Sequence, residues 1–168
     1  MTWFVKAFIK ASLAWLALGV TLGVAMAMYP PWTLYRLAHM HMLLLGFVTM
    51  MIYGVAYHVI PHFVGFRLHR PDAARWHWWV ANAGLALMVC GFVLRVRSPQ
   101  AGTIVLGAGG TLSAIGAYTF VYLIWRTLDG PAAMRAAAER AARAVERGTS
   151  RGDRTLTVVA ARSGDSAP

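Results

Sequence analysis

Residues 36–62 read RLAHMHMLLLGFVTMMIYGVAYHVIPH, an apolar run with two histidines at each end. A helix needs about 20 residues to cross a hydrocarbon core of about 30 Å. The central part of the run, 38–60, has that length and contains no Asp, Glu, Lys or Arg. The pattern therefore predicts a transmembrane helix. A histidine inside hydrocarbon is costly and usually functional, so this helix also carries the functional question.

Three further runs of the same kind occur at about 8–29, 76–94 and 102–125. The breaks between the four runs contain prolines, which end or restart helices. Hydrophobic residues make up 58% of the chain and charged residues 13%, a balance that excludes an ordinary soluble domain. We therefore expect an all-α integral membrane protein, with a bundle of four transmembrane helices in residues 1–128. Because the four runs hold no carboxylate, proton relays built on Asp or Glu are not expected.

The first run has a second interpretation. Lys6 and Lys10 precede its apolar part and Ala25-Met26-Ala27 lies near its end, as in a secretory signal with a cleavage site. The apolar part is about 20 residues long, which exceeds the usual length of a signal core. A retained transmembrane helix is therefore the preferred interpretation, and cleavage is the alternative.

Positive charges predict the orientation. Of the 16 Lys and Arg residues, 13 lie at the N-terminus, in the second connection or in the C-terminal tail. Because basic residues collect on the cytoplasmic side, both termini are predicted to be cytoplasmic in a multi-pass protein of the cytoplasmic membrane. His39 and His41 are then near the outer face. The histidines near the inner face are His58, His62, His69 and His77.

Residues 129–168 form a tail of different composition. The segment 132–147 is rich in Ala, Arg and Glu, which favour helix, and it predicts a basic cytoplasmic helix. Residues 148–168 are rich in Gly, Ser, Thr and Arg and are predicted to be disordered. The tail holds seven arginines and five acidic residues, so most of the net charge of +10 comes from basic residues at the ends of the apolar runs. Basic residues in these places fit the orientation of a membrane protein, and nucleic-acid binding is not predicted.

Small and polar residues indicate where the helices touch. Asn82 lies inside the third run and is expected to make a polar contact across the bundle. Small residues in the last two runs predict close helix contacts. They are Gly84, Cys90, Gly91, Gly102, Gly107, Gly109, Gly110, Ser113, Ala114 and Gly116.

The spacing of the histidines separates them into different sites. His39 and His41 are two residues apart and point about 200° from each other on a helix, so they do not share one central metal. His58 and His62 are four apart, which places them on one face unless Pro61 disturbs the helix between them. The two pairs belong to opposite leaflets, because about 17 residues of helix rise about 25 Å.

The chemistry of an imidazole in an apolar bundle suits a b-type heme. Iron accepts the neutral ring nitrogen, and the macrocycle supplies a large apolar surface to the surrounding side chains. Arg36 lies one turn before His39, at the depth where heme propionates need a cation. Copper is a weaker alternative for the string His39-Met40-His41-Met42, because thioether and imidazole ligands suit Cu(I). At the inner end, His58, His62 and His77 are candidate ligands of a second heme or of a metal.

The start of this helix resembles a known family. Arg36-Leu-Ala-His39, the apolar run, and then Gly54-Val-Ala-Tyr57-His-Val-Ile-Pro61 resemble the second transmembrane helix of the catalytic subunit of heme-copper oxidases, especially the nitric oxide reductase and C-type oxidase branch. The resemblance implies that His39 is an axial ligand of heme b near the outer face of a prokaryotic membrane, with Arg36 beside the propionates and His41 as a rival ligand.

The resemblance also sets limits on activity. The family's other heme and copper ligands come from later helices, and this chain has four spans, so it does not assemble a complete oxygen- or nitric-oxide-reducing centre alone. A second axial ligand would come from a homodimer or another homo-oligomer. A five-coordinate heme would instead bind NO, CO or O2. We expect a heme protein that transfers electrons from a respiratory donor or binds a gas. The alternatives are a non-redox accessory or assembly partner of a respiratory complex, and a copper- or zinc-handling protein.

Overall fold

The computed structural model describes the backbone of residues 2–164 and the side chains of residues 2–143, and this part of the chain is helical without strands. Two compact units are present, Met1–Leu128 and Asp129–Pro168. The α-helices are α1 (Trp3–Met28), α2 (Arg36–His41), α3 (Met50–Val64), α4 (Pro71–Arg95) and α5 (Pro99–Gly164). A 3-10 turn (Pro30–Tyr35) precedes α2, and a π-helical segment (Met42–Thr49) joins α2 to α3.

Within the described residues, four helical stretches are long and apolar enough to cross a membrane, which confirms the predicted number of spans. These spans are Trp3–Met28, Pro30–Val64, Pro71–Arg95 and Pro99–Arg143. The helices are longer than the apolar runs, because a backbone at the membrane boundary still satisfies its N–H and C=O groups best within a helix. Pro71 and Pro99 start α4 and α5, where the missing N–H of proline costs nothing.

The second span contains a π-helical segment that the sequence did not predict. Between Met42 and Thr49 the helix is wider than an α-helix, and the Thr49 hydroxyl donates to the carbonyl of Leu44, five residues earlier, over 2.8 Å. Segments of this kind often occur at functional sites. Hydropathy has no signal for such a segment, because an α- and a π-helix bury the same apolar residues.

Pro61 does not end the helix, and of the two alternatives left open by the sequence the structure shows the undisturbed one. α3 continues through Pro61 to Val64 and is closed by Gly65, whose φ of 64° is the left-handed conformation that favours glycine. The Phe66 N–H donates to the Pro61 carbonyl over 3.2 Å. Proline removes one hydrogen bond, and it does so in the final turn, where few helical bonds remain to be lost. His58 and His62 therefore share a face.

The core of the first unit is aromatic at one end of the bundle. Phe8 is fully buried and its ring lies 5.8 Å from Tyr53 and 5.9 Å from Tyr57, centroid to centroid. The predicted polar contact of Asn82 is confirmed, because the Trp15 indole donates to its side-chain oxygen over 3.2 Å. The buried hydrophobic side chains of the core are Phe4, Val5, Phe8, Met50, Tyr53, Tyr57, Ala74, Ala81, Leu85 and Leu123.

Several of the predicted small residues bring α4 and α5 into backbone contact. A Cβ at Gly91 would lie 2.6 Å from the Leu106 nitrogen, and one at Gly109 would lie 2.5 Å from the Met88 nitrogen. Gly107 and Gly110 are different, since nothing lies within 4 Å of a Cβ at either position. The prediction therefore holds for Gly91 and Gly109 and is wrong for Gly107 and Gly110, whose positions on the helix turn away from α4.

Alanine at Gly109 is expected to destabilise the protein by about 1–3 kcal/mol, because the new methyl group meets backbone that cannot move aside. Gly107→Ala is the matched control, and it is expected to raise the stability by up to about 1 kcal/mol through helix propensity. Unfolding by SDS titration in mixed micelles measures both. Equal effects of the two variants would contradict the packing described for α4 and α5.

The second unit was predicted as a helix at 132–147 followed by disorder. The structure instead continues α5 to Gly164, with Pro131 inside the helix. Ala and Arg favour this continuation, and Gly148 and Gly152 do not stop it. The side chains of 132–143 are all exposed. Residues 165–168 of the predicted disordered segment lie outside the described residues.

Candidate functional site

His39 is held against α1 by its ring. Its Nδ1 lies 2.8 Å from the carbonyl oxygen of Gly19. A carbonyl only accepts hydrogen bonds, so Nδ1 carries the proton and donates it. In the neutral ring, Nε2 then keeps a free lone pair. His39 therefore presents one nitrogen to its own scaffold and has the other available as a ligand atom.

Gly23 gives the His39 ring its place on α1. A Cβ at Gly23 would lie 2.8 Å from His39 Cε1 and 3.6 Å from Nε2. Gly19 and Gly23 are one helical turn apart, and together they form a cradle for the imidazole. The sequence reasoning missed this cradle, although the spacing Gly-x-x-x-Gly in the first span is a known signal for close approach between membrane helices.

His41 faces a different helix. Its ring centroid lies 4.8 Å from that of Phe92 on α4, and its Nδ1 lies 2.8 Å from the carbonyl of Leu37 in its own helix. This agrees with the predicted divergence of His39 and His41, whose rings pack against α1 and α4. Both residues are partly buried within the first unit.

Arg36 is exposed at the start of α2, one turn before His39. In residues 2–143 the structure contains one ion pair, between Arg75 and Asp72 at 3.2 Å. The guanidinium of Arg36 therefore has no carboxylate partner in the described part of the chain. A free guanidinium beside His39 is compatible with binding an anionic group there.

The two histidines of α3 lie close together. The ring centroids of His58 and His62 are 4.7 Å apart, and His62 Nδ1 lies 2.6 Å from the His58 carbonyl oxygen. By the same reasoning as for His39, Nδ1 of His62 is the protonated nitrogen and Nε2 keeps its lone pair. Both histidines line a cavity of about 350 Å³.

His77 is not beside the other inner histidines. It is 1% exposed, and its ring lies among Phe8, Tyr53 and Phe120 at centroid distances of 5.0, 4.6 and 6.2 Å. Its Nδ1 is 2.8 Å from the Tyr57 hydroxyl, and its Nε2 has no hydrogen-bond partner within residues 2–143. No group of three or more His, Cys, Asp or Glu side chains in the searched residues is arranged to hold a metal ion. The predicted inner set of His58, His62 and His77 is therefore not brought together.

Comparison with known proteins gives one distant relative of clear relevance. The chain is 26% identical over 167 residues to the cbb3-type cytochrome c oxidase subunit CcoN1 of Stutzerimonas stutzeri. The match covers 79% of this chain and 35% of the oxidase subunit, so the chain spans about a third of that protein. No family model matches the sequence.

This relative is a subunit I of a heme-copper oxidase, the same class of protein that residues 36–62 resemble. The chain is thus a distant, partial relative of such a subunit. Four apolar helices and a bacterial oxidase relative fit a multi-pass prokaryotic membrane protein.

Proposed function

We propose that this protein binds heme b through His39 and acts in electron transfer or in the binding of a diatomic gas, in the cytoplasmic membrane of a prokaryote. The observation that carries the proposal is the hydrogen bond from His39 Nδ1 to the Gly19 carbonyl. Histidines that ligate a metal donate their other ring N–H to a carbonyl, carboxylate or water, which fixes the ring and makes Nε2 a better ligand.

The residues around His39 fit a heme. The ring is half-buried in an apolar span and has one free nitrogen, and Gly23 leaves room beside it. Arg36, one turn away, is the candidate partner of the propionates. When bound, the heme would supply one-electron iron chemistry or an open position for NO, CO or O2. The chain's own residues then hold and orient the ring and exclude water from it.

Whether a second protein ligand binds the heme iron distinguishes electron transfer from gas binding. His41 packs on α4, away from the His39 cradle, so the same chain does not supply it as the opposite ligand. In a homodimer, His39 of a second copy of the chain would be the opposite ligand of one shared heme, which would then be six-coordinate and suited to electron transfer. A five-coordinate heme would bind a gas. His58 and His62 lie at the other end of the span, so they are not candidates for the second ligand of this heme.

A non-redox accessory partner of a respiratory complex is the second candidate. The observation that favours it is the match itself, since the relative is a subunit of a respiratory oxidase. Copper or zinc handling has less support, because the searched residues hold no group of three metal-ligating side chains.

Heme and metal stoichiometry of the purified protein tests the proposal. We expect heme b with a reduced-minus-oxidised α-band, at about one heme per chain if the heme is five-coordinate and about one per two chains if a homodimer shares it. A protein that binds no added heme but copurifies with an oxidase would support the accessory role. Copper or zinc in elemental analysis, without a chromophore, would support metal handling. The α-band position and CO binding to the reduced protein separate a six-coordinate from a five-coordinate heme.

A further inference from the structure

A second candidate site lies at the far end of α3 from the segment that holds His39. The cavity of about 350 Å³ is formed by the start of α1, the last turns of α3 and the connection to α4. Most of its wall is apolar, with Phe4, Pro61 and Leu68 among the lining residues. A cavity with such a wall at the end of a membrane span has the character of a site for an amphipathic molecule.

The charged part of the lining is basic. Arg67 lines the cavity and is exposed, and no carboxylate is among the lining residues. The one ion pair in residues 2–143 joins Arg75 to Asp72, so Arg67 has no acidic partner in that part of the chain. A guanidinium of this kind binds a phosphate with two parallel hydrogen bonds. The charge of the cavity therefore selects an anion over a cation.

The imidazoles add a second preference. His62 uses its Nδ1–H on the His58 carbonyl, so its Nε2 is a hydrogen-bond acceptor in the neutral ring. The donor that suits this atom is a hydroxyl. A ligand that fits the lining therefore carries a phosphate for Arg67 and a hydroxyl for His62.

We propose that this cavity binds the headgroup of an anionic phospholipid that carries free hydroxyls, as in phosphatidylglycerol. Basic pockets between membrane helices are known to take such headgroups. The apolar wall assigns the ligand to the bilayer instead of to free phosphate, because a phosphate without acyl chains gains nothing from Phe4 and Leu68 and loses its hydration. This site is separate from His39 and does not depend on heme.

Native mass spectrometry of the full chain tests the proposal. Phosphatidylglycerol, phosphatidylcholine and phosphatidylmethanol are added in turn, and the last has the same charge as the first but no hydroxyl. We expect phosphatidylglycerol to bind about fivefold better than phosphatidylcholine, which corresponds to one basic residue near the membrane surface. Arg67→Gln removes this preference. His62→Phe removes only the preference for phosphatidylglycerol over phosphatidylmethanol.

The matched control is Arg75→Gln, which removes an arginine outside the cavity lining. It is expected to keep the wild-type preference. An equal loss in Arg67→Gln and Arg75→Gln would overturn the proposal in favour of general attraction to a basic surface. Equal binding of phosphatidylglycerol and phosphatidylcholine by the wild type would also overturn it. Displacement of the lipid by millimolar glycerol phosphate would overturn its assignment to the bilayer.

Discussion

Replacing His39 with alanine is expected to remove nearly all bound heme from the protein. The variant loses the one imidazole that has its Nδ1–H on a carbonyl of α1 and its Nε2 free beside a glycine. Without a ligand nitrogen, the remaining apolar contacts do not hold iron in a defined position. Heme retained per chain after purification, and the amplitude of the reduced-minus-oxidised band, measure the effect.

His41→Ala is the matched control, because its ring packs on Phe92 and its Nδ1 bonds within its own helix. We expect it to keep the heme content and the spin state. Gly23→Ala is a second variant, in which the ring of His39 stays but is pushed by a methyl group 2.8 Å from Cε1. Heme affinity should fall about 10- to 100-fold, as for the loss of a supporting contact to a ligand. Loss of heme in His41→Ala with retention in His39→Ala would reverse the assignment of the ligand.

The architecture of the first unit was largely predictable because hydropathy and length decide it. Four apolar runs gave four helical spans, and a single polar residue in the third run, Asn82, gave the contact with Trp15. The boundaries were less predictable, since a helix continues into polar residues wherever its backbone bonds can be made. Pro61 is an example, because its cost depends on its place in the helix and not on its presence alone.

The sequence predicted the directions of the histidines in the candidate site but not the atoms that they contact. Sequence spacing gave the directions of His39 and His41 on their helix, but it did not give the atom on another helix that each ring meets. The Gly19 carbonyl is a backbone group, and no residue type marks it in advance. The π-helical segment next to His41 was likewise unmarked.

His77 shows the opposite case, in which a residue type suggested a ligand and the structure places the residue in an aromatic core. Placed near the inner end of the third run, it was predicted as a metal ligand beside His58 and His62. The structure surrounds it with aromatic rings and gives it one hydrogen bond, to Tyr57. The rings around His77 come from three other helices, α1, α3 and α5, and the sequence does not show that these helices pack there.

His77→Ala is expected to lower the free energy of unfolding by about 2–5 kcal/mol, the range for large-to-small changes in a packed core. The change opens a cavity between Phe8 and Tyr53 and leaves the Tyr57 hydroxyl without its partner. Tyr57→Phe alone should cost about 1–3 kcal/mol, because both ring nitrogens of His77 would then be buried without partners. Unfolding in mixed micelles, followed by near-ultraviolet circular dichroism, measures each variant.

Combining changes at His77 and Tyr57 distinguishes two roles for His77, a hydrogen-bonded core residue and a ligand of a heme or metal. In a His77→Phe background, an aromatic ring remains and no imidazole nitrogen needs a partner, so adding Tyr57→Phe should be neutral or stabilising. A ligand role predicts something else, namely that His77→Phe removes a bound heme or metal while the fold is kept. Since His77 is 1% exposed and its ring lies among Phe8, Tyr53 and Phe120, we expect His77→Phe to bind as much heme as the wild type. The same variant then contrasts with His39→Ala, because we expect one histidine to stabilise the bundle and propose that the other holds the iron.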